Sequence, residues 1–299
     1  MLNIKEITDL IGGEVSAKEI ELIKRAYTLA ERAHEGQKRI GGEPYFIHVF
    51  ETAKTLARLG MDAETIAAGL LHDVVEDTPI TEKELEEEFG SEVATLVAGV
   101  TKLGTLKYQG NERYAENLRK FFVAMANDLR VVIIKFADRL HNLKTLEHLR
   151  EDKRRRIALE SIEVYAPLAN RLGMAKIKGE IEDAAFPHAY PKEYAQMGEI
   201  IKEKKEPYEK YIFEIQKRLE EELEKSTVKT VEISHRIKRK YSLWKKLVKR
   251  EMDIKKVYDI VALRVVVDNV EECYKVLGIV HSIWSPLPGR IKDYIALPK

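Results

Sequence analysis

One cysteine, Cys273, stands in 299 residues. It can neither close a disulfide within the chain nor build a thiolate metal site, which excludes a disulfide-stapled secreted domain and a cysteine-rich zinc module. Cys273 itself is expected to be half-buried on a helix. Long apolar runs are missing too: nowhere do about 18 apolar residues follow one another, and the opening MLNIKEITDLIGGEV has no basic segment leading into an apolar one. The expectation is a soluble, cytoplasmic protein without a membrane partner. Net charge is also lacking. The 51 Lys and Arg against 50 Asp and Glu leave +1, so no global field draws the molecule to nucleic acid or an anionic membrane, and any basic site has to be local.

What is present is a high density of charge, 34% of residues, beside an ordinary hydrophobic fraction of 44%. That combination suits amphipathic helices with ionised outer faces. In residues 17–33, Ile20, Ile23, Ala26, Tyr27 and Ala30 share one face and Gly36 stops the element. Further stretches of the same period cover 46–59, 63–77, 81–89 with a capping box Thr81/Glu84, 91–102, 111–126, 128–146, 152–172 and 174–186. Phe186-Pro-His-Ala-Tyr-Pro191 interrupts the pattern, and a long charged helix follows to about Lys225. The length suggests two domains, which we place at 1–190 and 191–299. Beyond Ser226 the texture changes: TVKTVEIS and KVYDIVALRVVVD are rich in Val, Ile, Thr and Tyr and read as strands around one helix, with VEECYKVLGIVHSIW as another.

Chemistry-bearing residues gather in the first region. Leu70-Leu-His-Asp-Val-Val-Glu-Asp77 ends an apolar helix with four polar groups, which should not turn inward without a partner. His72 with Glu76 and Asp73 with Asp77 are i,i+4 pairs, so one helix can aim all four at a common volume. Carboxylates clustered in this way would repel unless a cation sat among them. VVIIKFADRLHNL offers Asp138 and, one turn later on the same face, Asn142, while His48 heads another helix. A lone His-Asp pair arises often by chance. His48, His72, Asp73 and Asp138 together supply two imidazoles and two carboxylates, a mixed set suited to Mn, Fe, Co or Zn.

This joint occurrence resembles the HD superfamily of metal-dependent phosphohydrolases. The flanking segments RIGGEPYFIH, GLLHDVVEDT, VTKLGTLKY, KFADRLHNLKTL, YAPLANRLGM and PGRIKDYIALPK narrow the likeness to the RelA/SpoT homologue family of (p)ppGpp hydrolases and synthetases. The resemblance implies a mainly α chain: an all-helical HD-type hydrolase followed by a partial α+β nucleotidyltransferase-like domain. It implies that His48, His72, Asp73 and Asp138 hold the metal, usually manganese, that Glu76 and Asp77 are the catalytic acidic pair, and that Arg39, Asn142 and Thr145 line the nucleotide pocket. The substrate would be ppGpp or pppGpp, with GDP or GTP and pyrophosphate as products. Lys38, Arg39, Lys135, Arg139 and Lys144 would supply positive charge for this polyanion, the bland alternative for Lys38 and Lys144 being a solvated helix face. The chain departs from many relatives in reading His48-Val49 where they read His-Pro, which touches loop geometry and leaves the metal set intact.

A second constellation lies in HRIKRKYSLWKKLVKR, where cations surround Tyr241 and Trp244. Taken alone it could be an RNA-binding or membrane-surface helix. Against the family, Arg236, Lys238 and Ser242 match the grip on ATP phosphates and Asp259, expected on the following strand, the magnesium ligand. Arg290 and Lys292 fall in an RxKD segment associated with bifunctional enzymes. The family's GYQSLHT-like and ExQxRT-like segments are not in the sequence, nor are the regulatory domains through which relatives meet ribosome and tRNA. The expectation is therefore a fragment of a longer bifunctional enzyme, hydrolytic with an inactive synthetase half. The rivals are a truncated pyrophosphokinase and a regulatory nucleotide- or RNA-binding fragment.

Overall fold

The computed structural model describes residues 2–12, 15–104, 119, 121–226, 228–257 and 259–298. It divides into two compact units, Met1–Pro191 and Lys192–Lys299. The first is helical: α1 (Lys5–Thr8), α2 (Ala17–Ala33), α3 (Phe46–Arg58), α4 (Ala63–Leu71), α5 (Val74–Asp77), α6 (Glu82–Phe89), α7 (Ser91–Gly104), α8 (Leu129–Lys144), α9 (Glu151–Glu160), α10 (Ala166–Arg171) and α11 (Ala175–Ala189). Most of the segment predicted as a helix over 111–126 lies outside the described residues; 121–127 is helical.

Local chemistry sets the ends of these helices. Ser16 and Glu19 cap α2 reciprocally, Thr81 and Glu84 do the same for α6, and Gly90 terminates α6 with φ +87°. Asp62 accepts from Thr65 N–H at 2.7 Å and starts α4. Apart from Glu64, every residue of helix α4 is buried, which makes it a central helix, and α2, α3, α7 and α8 pack around it. Helix α3 comes close at Gly69, where an added Cβ would lie 2.4 Å from Leu56 Cδ1.

Two predicted helices are interrupted. The reading of 63–77 as one helix is corrected by a break at His72 and Asp73. His72 Nδ1 donates at 2.9 Å to Gly69 O, the carbonyl that the Asp73 N–H would take in a continuous helix. The reading of 152–172 is corrected by a π-helical turn, Ser161–Tyr165, ahead of Pro167. Proline has no N–H for the regular ladder, and one wide turn absorbs the mismatch. Conversely, Pro187 does not interrupt the pattern: α11 runs through it to Ala189.

The second unit begins with α12 (Pro191–Glu224) and continues with β1 (Thr230–Ile237), α13 (Lys240–Val248), β2 (Val261–Val267) and α14 (Val270–Ile283). The strands pair antiparallel, Ile233 opposite Val265 and Ile237 opposite Val261, with an irregularity between Thr230 and Glu232. Leu219 and Leu223 of α12 share a small core with Val276, and Ile233, Leu263, Val265 and Trp284 pack on it. Cys273 is on α14 but exposed, contrary to expectation. No helix among the described residues is long and apolar enough to cross a membrane.

Candidate metal centre and its adjoining cavity

Three elements bring the four expected ligands together: the start of α3 with His48, the break after α4 with His72 and Asp73, and α8 with Asp138. His48 Nε2 lies 3.3 Å from Asp138 Oδ1 and 3.5 Å from Asp73 Oδ2, and His72 Nε2 is 3.3 Å from that same Asp73 oxygen. Donor atoms of His48, His72 and Asp138 all fall within 4.8 Å of one another, and the three residues are buried. At the break the adjacent residues His72 and Asp73 offer one nitrogen and one oxygen to the same volume.

The electrostatics favour a cation. Burial opposes the charge on Asp73, but the neighbouring His72 and His48 hold its carboxyl below the usual range. Burial likewise opposes Asp138, and Lys135, at 2.6 Å, and His48 outweigh it. His48 is buried as well, yet the Asp138 and Asp73 carboxylates raise its pKa. Carboxylates that draw a proton onto His48 Nε2 draw any other cation to the same place.

A divalent ion fits this donor set on one further observation. The Nδ1–H of His72 is committed to Gly69 O, leaving its Nε2 lone pair buried and without a hydrogen-bond partner. A buried acceptor of this kind is costly unless something binds it. Each ligand also has an outer partner that orients it. His48 Nδ1 meets His141 Nδ1 at 2.9 Å, Tyr45 Oη donates to Asp73 Oδ2 at 2.8 Å, and Asn142 Nδ2 donates to Asp138 Oδ1. Burial, then the Asp73 and Asp77 carboxylates, push the Tyr45 hydroxyl up, which keeps it a donor.

Sequence reasoning missed the roles of His141 and Tyr45. Both stand three residues from a ligand on the same helix face, His141 after Asp138 and Tyr45 before His48, and that spacing was the available signal. Burial, followed by the positive neighbours His48, Arg39 and Lys144, lowers the His141 pKa to about 3, so its ring is neutral.

Beside the cluster lies a cavity of about 310 Å³, walled by Arg39, Gly41, Lys135, Asp138, Arg139, Asn142, Thr145 and Lys153 among others. Arg39 sits in a turn closed by Gly42 N–H to Arg39 O at 2.8 Å, Gly42 having φ +86°. At Gly41 a Cβ would come within 2.5 Å of the His148 ring, so a larger residue there would displace that side chain. Arg39, Asn142 and Thr145 therefore do meet in one cavity. Lys38 and Lys144 are not in its lining, and the solvated reading fits exposed Lys144. Arg139 is held from behind, its guanidinium 4.1 Å over the Tyr165 ring and 3.6 Å from Glu160. Glu76 and Asp77 are on α5 next to the cluster and exposed. Burial and the Asp73 charge raise the Glu76 pKa.

In the second unit Lys238 and Lys246 both donate to Asp259 Oδ2, the former at 2.8 Å. Contrary to the expectation of a strand position, Asp259 lies two residues before β2, where these ion pairs hold it and Lys238 N–H bonds Ile260 O at 2.7 Å. Arg236 is on β1 and Ser242 on α13, while Arg290 and Lys292 follow α14.

The HD domain family matches residues 26–175, half of the chain, and the family described as "Region found in RelA / SpoT proteins" matches 235–299. The chain is an HD-domain protein of the RelA/SpoT family. A family member from Aquifex aeolicus (strain VF5), named guanosine-3′,5′-bis(diphosphate) 3′-pyrophosphohydrolase, is 49% identical over 280 residues, 93% of this chain and 40% of that protein. The bifunctional (p)ppGpp synthase/hydrolase SpoT of Escherichia coli (strain K12) is 45% identical over 304 residues, 100% of this chain and 43% of its own length. A GTP pyrophosphokinase of Myxococcus xanthus is 44% identical over 285 residues, 94% of this chain and 38% of that protein. The RelA/SpoT chain described here thus spans about two fifths of these relatives. An HD domain implies a divalent metal, and His48, His72 and Asp138 form a site able to hold one.

Proposed function

We propose that the chain hydrolyses guanosine 3′,5′-bis(diphosphate), ppGpp or pppGpp, to GDP or GTP and pyrophosphate. The observation that carries this reading is that Asp138 belongs both to the metal-binding cluster and to the wall of a cavity rich in cations. A phosphoric anhydride ester placed there would have its charge against Arg39 and Lys153 and its scissile bond near the cluster. The relatives named for this hydrolysis support the substrate class.

In this proposal His48, His72, Asp73 and Asp138 hold Mn²⁺, which when bound lowers the pKa of water and offsets phosphate charge. Glu76, its pKa raised by partial burial and the Asp73 charge, takes the proton from the attacking water, and Asp77 beside it orients that water. Tyr45 and Lys135 keep the two ligand carboxylates turned inward. Arg39, Asn142 and Thr145 position the nucleotide, and Arg139, fixed by Tyr165, adds charge to the cavity floor. Alarmone turnover in the cytoplasm is the setting this activity fits.

A pyrophosphokinase reading would use the second unit, with Mg²⁺ at Asp259 and ATP phosphates on Arg236, Lys238 and Ser242; Arg290 and Lys292 would belong to the same region. What favours it is the Lys238–Asp259–Lys246 cluster, a carboxylate among cations as nucleotidyl transfer requires. The RNA-binding reading is weaker, because the basic stretch is engaged internally: Lys238 and Lys246 on Asp259, Lys240 over Tyr194 and Lys245 over Tyr241.

One experiment separates the three. Metal-stripped protein is incubated with ppGpp, Mn²⁺ is added, and GDP and pyrophosphate are followed, with Asp73→Ala as control. Metal-dependent GDP in the wild type alone is expected. Its absence sinks the hydrolase, AMP and ppGpp formed from ATP and GDP would favour the kinase, and RNA retardation without either would favour binding.

A further inference from the structure

Arg39 stands in the cavity wall, yet its guanidinium also reaches the groups behind two metal ligands. Nη1 donates to His141 Nδ1 at 3.1 Å and Nη2 donates to Asn142 Oδ1. A guanidinium carries donors only. His141 Nδ1 must therefore present its lone pair, with the ring proton on Nε2.

The consequence passes to His48. Its Nδ1 lies 2.9 Å from the same His141 Nδ1, and two lone pairs at that separation would repel. His48 thus carries a proton on Nδ1 and donates it, which frees Nε2 to face the volume bounded by Asp73 and Asp138. The second arm follows the same logic. With Asn142 Oδ1 taken by Arg39, the amide nitrogen is the end that reaches Asp138 Oδ1, turning that carboxylate toward His48.

We propose that Arg39, His141 and Asn142 form a positioning bridge, in which an arginine in the cavity wall fixes the tautomer of His48 and the orientation of Asp138. Arg39 then governs how tightly the cation is held although it cannot itself ligate one. The bridge also explains why burying His141 beside a metal ligand is tolerated: its one acceptor atom serves two donors at once. The proposal rests on the metal centre of the reading above, but on no particular phosphate ester.

Its test is Mn²⁺ binding by the metal-stripped 299-residue chain without nucleotide, followed through the signal of the free ion in electron paramagnetic resonance. His141→Leu is expected to weaken binding on the order of 10- to 100-fold, the usual effect of losing an outer-sphere partner. His141→Gln, whose amide oxygen accepts from both neighbours, should recover most of the loss. Arg39→Leu should weaken binding by a smaller factor, and the double variant should lose less than the product of the two single losses. Unchanged affinity in His141→Leu, or a Gln variant no better than Leu, overturns the bridge. Should both His141 variants fail to fold, Arg39→Leu decides: wild-type affinity there overturns it. Weakened Mn²⁺ binding in a chain that leaves ppGpp intact would uphold the bridge and reject the hydrolase. An active hydrolase whose variants bind Mn²⁺ as the wild type does would do the reverse.

Discussion

Tyr45 and Glu76 both feel the Asp73 carboxylate but in different surroundings. Tyr45 is half-buried, stacks on His34 with ring centroids 4.8 Å apart, and gives its hydroxyl proton to Asp73. Tyr45→Phe keeps the stacking and removes the hydroxyl that serves Asp73 and Asp77, so Mn²⁺ affinity is expected to fall about tenfold with little change in melting temperature; calorimetric titration and a thermal scan check both. Glu76 lies on α5 beside the cluster, and its raised pKa suits proton transfer. Glu76→Gln is therefore expected to cut turnover of ppGpp by about 10²-fold or more while Mn²⁺ affinity stays near wild type, as single-turnover assays at saturating metal would show.

Among the elements, α4 decides the most. Its sequence, AETIAAGLL, is apolar and buried after its first turn and holds the small residue Gly69 close against α3. Gly69→Val would push into the fully buried Leu56, and overpacking of this kind costs about 1–3 kcal/mol; urea unfolding of wild type and variant measures it. The same turn supplies the carbonyl that receives His72 Nδ1–H. Periodicity made the helices legible, and the cap residues Thr81 and Glu84 made one start legible to the residue. The break at His72 was not legible, because a side chain that takes a backbone acceptor leaves no mark in the apolar pattern. Nor was the π turn at Ser161–Tyr165, which keeps Tyr165 buried against Arg139 without altering which residues are apolar.

Across the first unit, Arg130 joins three helix starts. It pairs with Asp128, the cap of α8, at 2.7 Å, with Glu92 in the first turn of α7 at 2.7 Å, and with Asp62, the cap of α4, at 3.5 Å. The hydrogen bond from Arg130 lowers the Asp128 pKa despite some burial. A carboxylate depressed on folding contributes stability that is complete above its unfolded value of about 3.9 and is lost as pH falls through the lower folded value. Asp128→Asn keeps a good capping side chain but removes this pH-linked part. The variant should be less stable than wild type at pH 7, by less than about 1 kcal/mol because the pair is partly exposed, and the difference should shrink below pH 4 in urea titrations.

The types and order of the chemical groups were in the sequence: the helical periods, two imidazoles and two carboxylates spaced over helices, and the flanking segments that marked the family and pointed to Arg39, Asn142 and Thr145 as neighbours in one pocket. Folding decided which groups meet. Arg39 and His141 are 102 residues apart and Tyr45 and Asp73 are 28 apart, and no periodicity relates them. Helix patterns record that a face is buried but not what it is buried against. Hydrogen bonds across that packing fix the ring tautomers and carboxylate orientations, and through them the readiness of the site for a cation.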